Sequence, residues 1–263
     1  MASKARQLAQ SASAPEGRKN VVINGAMQVA QRATSVTGIG VSDGYFTIDR
    51  FNMNVASSSV NAGRLTMTQE SDAPSVAGLA NSLKLACTTA DTSIGANEFF
   101  ILEQKIEGQD VQRLSKGTSD AKECTVSFYV KSSSNITFVA ELFDVSNTRV
   151  VSKSFNVTTD WTRVELTYPA DTTGAIADDA NEGFRLLIWM HAGSTFSSGS
   201  LQTSWGAITN ADRAAGIGSI VDSTDRTFFI TGVQLEVGSV ATEFEHRSFG
   251  EELALCQRYF QSM

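Results

Sequence analysis

The chain has 263 residues, of which 21 are Lys or Arg and 28 are Asp or Glu, giving a formal net charge of −7. This length supports one large β-domain or two small domains. The negative charge argues against a general nucleic-acid-binding protein, because no excess of positive charge is present to neutralise phosphates. Charged residues make up only 19% of the chain, and Ser, Thr, Asn and Gly take their place. That balance is typical of a surface built from strands and turns.

The spacing of the cysteines and the length of the apolar runs indicate the cellular compartment in which the protein is made. Cys87, Cys124 and Cys256 are widely spaced and form no CxxC pair, so they match neither a disulfide framework nor the spacing of a zinc site. We expect no cofactor and no metal ion. No run approaches the roughly 18 apolar residues of a membrane span, and residues 1–19 lack the apolar core of a secretion signal. The sequence therefore predicts a soluble protein made in a reducing compartment.

The N-terminal segment 1–19 is basic, whereas the rest of the chain is acidic. Its basic residues are Lys4, Arg6, Arg18 and Lys19, against the single acid Glu16. Within it, "KARQLAQSA" has a helical pattern. Two interpretations remain open: a soluble tail, or an anchoring arm that docks on an acidic neighbour in an assembly.

From residue 20 onward, apolar and polar residues alternate with a period of two. In "ECTVSFYVKSS", for example, Cys124, Val126, Phe128 and Val130 fall on one face. The predicted strands are "NVVING", "YFTIDRFNM", "GRLTMTQE", "NSLKLACTT", "EFFILEQKI", "ECTVSFYVKSS", "NITFVAELF", "WTRVELTYP", "GFRLLIWMH" and "RTFFITGVQLEV". Such short runs between turn-forming residues predict an antiparallel β-sandwich of the jelly-roll type. Segments 169–183 and 209–225 are predicted to be exposed loops.

The last stretch, "FEHRSFGEELALCQRYF", has the pattern of a helix start. Ser248 can cap a helix whose Glu251 lies three residues on, which is the capping-box arrangement. Leu253, Cys256 and Phe260 then share one face. A Cys so near His246 also permits a catalytic pair, but nothing local marks Cys256 as a nucleophile. We therefore expect an architectural helix that is packed on the sandwich or on a neighbouring subunit.

No nucleophile, metal-ligand or nucleotide-binding motif is present, and we expect no catalytic residues. Alternation in "GFRLLIWMH" places Arg185, Trp189 and His191 on one face, where a ring and polar groups could bind a sugar. The alternative, which we favour, is that Trp189 packs in the core and His191 ends the strand. Trp205 lies in a Ser/Gly-rich stretch and is the better candidate for an exposed aromatic ring, and the alternative is that it packs under its own loop.

Several stretches resemble known families. "ECTVSFYVKSS", "FNVTTDWTRVELTYPA" and "FFITGVQLEVGS" are similar, in order and spacing, to the jelly-roll modules of the carbohydrate-binding type. The two ends, "NVVINGAMQVAQRAT…GYFTIDRFNM" and "ITGVQLEVGSVATEFEHRSFGEELALCQRYFQ", resemble virion proteins of tailed bacteriophages, often tail-fibre or structural proteins. Related sugar-binding modules often keep an Asp in the last strand as a calcium ligand, but Thr231 and Gly232 stand here instead.

These resemblances imply a non-enzymatic virion component with a basic arm (1–19), a β-sandwich (20–245) and a C-terminal helical tail (246–263). The implied role is a tail-fibre or receptor-binding subunit for host attachment. Its expected partners are other virion proteins, two further copies in a homotrimer and, for a receptor-binding subunit, a host surface glycan, with no nucleic acid and no membrane insertion. The alternatives are a capsid decoration protein and a glycan-degrading enzyme.

Overall fold

Two six-stranded antiparallel sheets form a β-sandwich, which confirms the predicted fold class. The computed structural model describes residues 18–57 and 63–262. Its strands are β1 (Ser35–Ile39), β2 (Asn52–Ala56), β3 (Arg64–Glu70), β4 (Ser82–Thr89), β5 (Phe99–Glu107), β6 (Cys124–Ser132), β7 (Ile136–Asp144), β8 (Arg149–Val157), β9 (Thr162–Tyr168), β10 (Glu182–Ala192), β11 (Gly206–Ala207) and β12 (Thr227–Val237). The strand order is β1-β3-β4-β12-β6-β9 in the first sheet and β11-β8-β7-β10-β5-β2 in the second.

Helical structure is confined to short segments in the part of the chain that is described. Two α-helices are present, Ser194–Ser197 and the C-terminal helix Phe249–Gln257. Three 3-10 turns accompany them, Ser75–Ala77, Gly108–Leu114 and Asn210–Asp212. None of the described helices is long and apolar enough to cross a membrane.

The core lies between the two sheets and is built from the alternating residues that the sequence indicated. Val126, Phe128 and Val130 of β6 are fully buried. Phe128 and Phe138 meet the Phe155 ring edge-on from the two sheets, with ring centroids 5.0 and 6.3 Å away, a favourable geometry for aromatic pairs. Period-two alternation therefore places the inner face correctly on these strands.

The first predicted strand, "NVVING", is not a separate strand but runs beside the second half of β12. Val21 N donates to the Leu235 carbonyl (3.0 Å), and Val233 N donates to the Gly25 carbonyl (2.9 Å). The reason is a break in β12, where the pairing register with β6 shifts between Thr231 and Gln234. There β12 leaves β4, with which it pairs only as far as Ile230.

Other differences from the predicted strands follow from local backbone geometry. In "YFTIDRFNM", a turn with Arg50 at φ 73° delays the strand until Asn52. The sequence predicts no strand at β1, β8 or the two-residue β11. In β8 the polar run Ser152–Ser154 interrupts the apolar alternation between Val151 and Phe155.

The predicted capping box of the C-terminal helix is confirmed. The Ser248 hydroxyl accepts from Glu251 N, and the Glu251 carboxylate accepts from Ser248 N (3.1 Å). This helix covers the segment at the start of the sandwich: Cys256 packs with Ile23 and Val29 in one apolar cluster. We call residues 20–32, packed against residues 244–260, the terminal joint.

The basic arm is only partly within the described range. Lys4 and Arg6 lie outside the described residues. Arg18 forms an ion pair with Glu251 (3.3 Å), and the Lys19 backbone N–H donates to the Glu245 carboxylate (2.5 Å). Both described residues of the arm therefore contact acids of the terminal joint.

Candidate functional site

The outer face of the second sheet carries three rows of side chains, because residues paired across neighbouring strands share a face. The first row is Phe143, Arg185 and Lys105. The second row is Glu141, Leu187, Glu103 and Asn52, and the third is Val139, Trp189, Ile101 and Asn54. The predicted sugar-binding strand β10 thus contributes one residue to each row.

The third row is covered by the segment 193–221, which we call the loop cover. Trp189 is 0% exposed, with the Phe196 and Phe99 rings 5.5 and 5.8 Å from its own. The Arg213 guanidinium lies 4.8 Å from its ring centroid. Trp189 therefore offers no open ring surface to a sugar. Its burial agrees with the favoured alternative, in which this ring is packed and does not bind a ligand.

The loop cover also overturns the prediction that 209–225 is an exposed loop. Ala214, Ile220 and Val221 are all 0% exposed. Ala214 packs on the Trp189 cluster, and Ile220 and Val221 belong to the main core. The Asn, Asp, Gly and Ser residues of this segment suggested a solvated loop, but its apolar residues fill a surface that the strands leave open.

His191 does not share a face with Trp189, so this part of the alternation prediction is wrong. The register between β10 and β5 shifts between Trp189 and His191, and His191 pairs with Phe100, a residue of the main core. The two rings meet edge-on with centroids 5.7 Å apart. A bulge of this kind redirects a side chain to the other face.

Trp205 is half-buried at the end of the sandwich. Its indole N–H donates to the Pro169 carbonyl (2.8 Å), and its ring lies 6.0 Å from Phe184 of the core. The centroid of the same ring lies 5.2 Å from the Lys116 ammonium nitrogen. That ammonium group forms buried ion pairs with Asp144 and Asp171. The structure thus places Trp205 apart from Arg185, at a different part of the surface.

The partly exposed first row lies beside the buried Glu103 and Asn52 of the second row. We call these five residues the outer polar band: Phe143, Arg185, Lys105, Glu103 and Asn52. Glu103 is 1% exposed and is the acceptor at its centre. The Asn52 amide donates to it (2.8 Å), and Arg185 Nη1 donates at 3.4 Å. Lys105 Nζ lies 3.7 Å away. One buried carboxylate therefore fixes three donors on one face.

Arg185 is held in a fixed orientation by two acids. Its Nε donates to Glu182, and its side chain keeps 21% of its surface exposed. Burial acts to lower the pKa of Arg185, but the bond to Glu182 and the charge of Glu103 raise it above its usual value. The guanidinium is thus a permanent cation with part of its fork open to solvent.

One aromatic ring, Phe143, belongs to the band, and a second, Tyr45, follows Gly44, whose backbone pairs with Met53 of β2. The Arg185 guanidinium lies 5.7 Å from the centroid of the Phe143 ring, and Phe143 is half-exposed. On the β2 side, burial raises the pKa of Tyr45, with further contributions from Glu103 and Glu182. Rings beside planar hydrogen-bonding groups are the elements that hold a small polar ligand.

Sequence reasoning found Arg185 but missed Glu103, Asn52 and Lys105. Glu103 lies within the run "EFFILEQKI", where an acid directly after Ile101 and Leu102 was the available signal. The strands that flank Glu103 are set by the order of strands in the sheet, and this order cannot be read from the linear sequence.

Cys256 and His246, the alternative catalytic pair that the sequence permitted, contact different residues. The Cys256 side chain is buried against Ile23 and Val29, and burial raises the pKa of its thiol to about 12. His246 is exposed, and its Nε2 lies 3.0 Å from the Ala77 carbonyl. A neutral, buried thiol has the character of a packed residue.

The remaining residues of the predicted helix face lie in the terminal joint. Leu253 is half-buried beside Cys256. Phe260 is half-buried, with its ring 3.5 Å from the Arg32 guanidinium, and its carbonyl accepts from the Gln31 amide (2.9 Å). The predicted face thus meets the N-terminal part of the same chain.

Comparisons with known proteins identify similar folds. No family model and no curated protein matches the chain. Among solved structures, a CBM4 carbohydrate-binding module is 14% identical, with a TM-score of 0.40, over 81% of this chain and 97% of that chain. A family 11 carbohydrate-binding module from Clostridium thermocellum, in complex with a beta-1,3-1,4-mixed-linked tetrasaccharide, is 9% identical (TM-score 0.36; 79% and 98%).

A further similar structure comes from a bacteriophage. The enzymatically active domain of tailspike protein 4 of bacteriophage CBA120 is 12% identical, with a TM-score of 0.40. The match covers 83% of this chain and 21% of that chain. We infer no ligand and no activity from these similarities.

Proposed function

We propose that this chain is a glycan-binding β-sandwich of a bacteriophage virion, in a tail fibre or another receptor-binding appendage. The observation that carries glycan binding is the outer polar band. In it, Arg185 and Lys105 stand beside the Phe143 ring on a half-open sheet face. The bacteriophage role is supported by the sequence resemblance of the two end stretches, which meet in the terminal joint.

The band has the chemistry to bind a sugar without changing it covalently. The partly exposed donors of Arg185 and Lys105 suit the hydroxyl or carboxylate oxygens of a glycan. The Phe143 ring offers an apolar surface to the C–H groups of a pyranose. Because Glu103 and Glu182 already hold the Arg185 fork, little side-chain entropy is lost when a ligand binds.

Screening the purified chain on a microarray of bacterial surface polysaccharides tests the glycan part. Arg185→Lys keeps the charge but loses the planar fork, and we expect it to weaken any glycan signal at least about tenfold. Arg163→Lys is the matched control, because Arg163 is a half-buried arginine ion-paired with Glu165 (3.1 Å) on the first sheet. Equal loss in both variants, or binding unaffected by either, contradicts a site at the band.

Immunogold electron microscopy of intact particles tests the virion part. Label on tail appendages agrees with the proposal, whereas label over the capsid shell would assign the chain to the decoration proteins. Deleting residues 2–17 keeps the contacts of Arg18 and Lys19, and we expect the truncated chain to fold but not to enter particles. Light scattering of the purified chain checks the expected homotrimer.

Incubation with the polysaccharides that bind tests the non-enzymatic part. We expect no release of reducing ends. Release that disappears on mutation of one carboxylate would make the chain a glycan-degrading enzyme instead.

A further inference from the structure

Three buried side chains that the proposed function does not use meet at one end of the second sheet. Asp91 and Glu98 stand at the two ends of the β4–β5 loop, and His191 lies near the end of β10. All three are at most 5% exposed. One ring nitrogen and two carboxylate oxygens from them lie within 4.8 Å of one another.

Two atoms of this cluster have no hydrogen-bond partner among residues 18–57 and 63–262. These are Asp91 Oδ2 and His191 Nε2, and they face each other at 4.0 Å. That separation is too long for a direct hydrogen bond. A buried carboxylate oxygen and a buried ring nitrogen without partners are each costly, so their arrangement calls for a third group between them.

The other atoms of the same side chains are already held in place. Asp91 Oδ1 accepts from Ser93 N (2.9 Å), and Glu98 Oε2 accepts from Gly95 N (2.7 Å). His191 Nδ1 lies 2.8 Å from the Ser219 hydroxyl. A second hydrogen bond on the far ring nitrogen is the usual way in which a metal-binding His is oriented.

We infer that Asp91, Glu98 and His191 form a binding site for a divalent transition-metal ion of the Zn²⁺ type. One imidazole nitrogen and two carboxylates are a donor set that Zn²⁺ accepts, and the hard cations Ca²⁺ and Mg²⁺ prefer oxygen alone. Tetrahedral Zn²⁺ ligands lie roughly 3.3 Å apart, so the three side chains close inward by less than about 1 Å each.

The ion joins the β4–β5 loop to β10, and backbone hydrogen bonds tie two of the ligand residues to the loop cover. Asp91 N donates to the Val221 carbonyl (2.7 Å), and Gly193 N donates to the Glu98 carbonyl (2.7 Å). The ligands therefore connect the β4–β5 loop to both ends of the loop cover. Residues 92–94, 96 and 97 are exposed, and this loop is the path by which the ion enters.

Nuclear magnetic resonance of the histidine rings in the chelator-treated full chain is the decisive experiment. The chain has only two histidines, so His246, which is exposed and remote in sequence, serves as an internal control. Adding Zn²⁺ alone is expected to shift the Nε2 resonance of His191 and to leave His246 unchanged. A shift at His246 only, or at neither ring, overturns the inference.

Calorimetric titration with Zn²⁺ adds the affinity and the ligand assignment. We expect saturable binding of one ion per chain. Asp91→Asn should weaken it by more than about a hundredfold, and Ser219→Ala by about ten- to a hundredfold. Asp225→Asn, an exposed acid of the same region, is the control and should bind as the unchanged protein does. Equal binding by Asp91→Asn and Asp225→Asn overturns the site.

Discussion

The terminal joint and the loop cover both close part of the sandwich, but they do so by different interactions. The terminal joint is held together by ion pairs, cation–π contacts and capping bonds: Arg247 pairs with Glu252 (3.3 Å), and the Phe260 ring lies 3.5 Å from the Arg32 guanidinium. The loop cover instead buries Trp189 under apolar side chains and Arg213, and Arg213 adds one ion pair, to the buried Glu141 (2.5 Å). Charged contacts specify which segments meet, whereas apolar burial contributes most of the free energy.

The largest effect should come from the loop cover. Trp189→Ala removes a fully buried ring and leaves a cavity beneath Phe196, so we expect a loss of about 3–5 kcal/mol in the free energy of unfolding. Trp161→Ala is the control, because the half-buried Trp161 ring makes one hydrogen bond to Asp72 (3.0 Å). Urea denaturation measures both. Equal losses in the two variants would mean that burial of Trp189 under the loop cover does not stabilise the fold more than a half-buried ring does.

A somewhat smaller effect is expected in the terminal joint. Glu252 is 5% exposed, pairs with Arg247, and accepts from Asn24 N (2.5 Å). Glu252→Ala leaves both groups without this acceptor, and we expect a loss of about 2–3 kcal/mol by urea denaturation. Glu252→Gln keeps an acceptor for Asn24 N and should lose less. A larger loss for Gln than for Ala would contradict this account.

The ring at the end of the chain should matter less than a fully buried one. Phe260 is half-buried, so Phe260→Ala is expected to cost about 1–2 kcal/mol, from lost apolar area and the contact with Arg32. Phe249, the first residue of the C-terminal helix, is 56% exposed, and Phe249→Ala should cost less than about 0.5 kcal/mol. Thermal unfolding of the two variants separates a packed helix face from a loosely attached tail.

The smallest effect concerns the thiol at the centre of the terminal joint. Burial raises the pKa of Cys256 to about 12, so at pH 8 the thiol is protonated and enclosed, and we expect no reaction with a thiol reagent in the native protein. The denatured chain, with its three cysteines, should react fully. Rapid labelling of native Cys256 would show that the joint opens.

The amino-acid sequence by itself determined the sandwich, most of its strands and the capped helix. Each follows from local rules: period-two alternation in β6 and β12, and the Ser248–Glu251 capping box. It also identified Arg185 as a polar residue of the open face. These features depend on residues close together in the chain.

The tertiary structure alone decided which side chains meet. The outer polar band combines Glu103 with Arg185, and the candidate metal site combines Asp91 with His191, residues about 80 to 100 positions apart. A bulge between Trp189 and His191 sent one ring outward under the loop cover and the other inward to the acids. A bulge cannot be recognised from the alternation of apolar and polar residues. One extra residue moves every following side chain to the other face of the sheet, and the sequence carries no mark at that position.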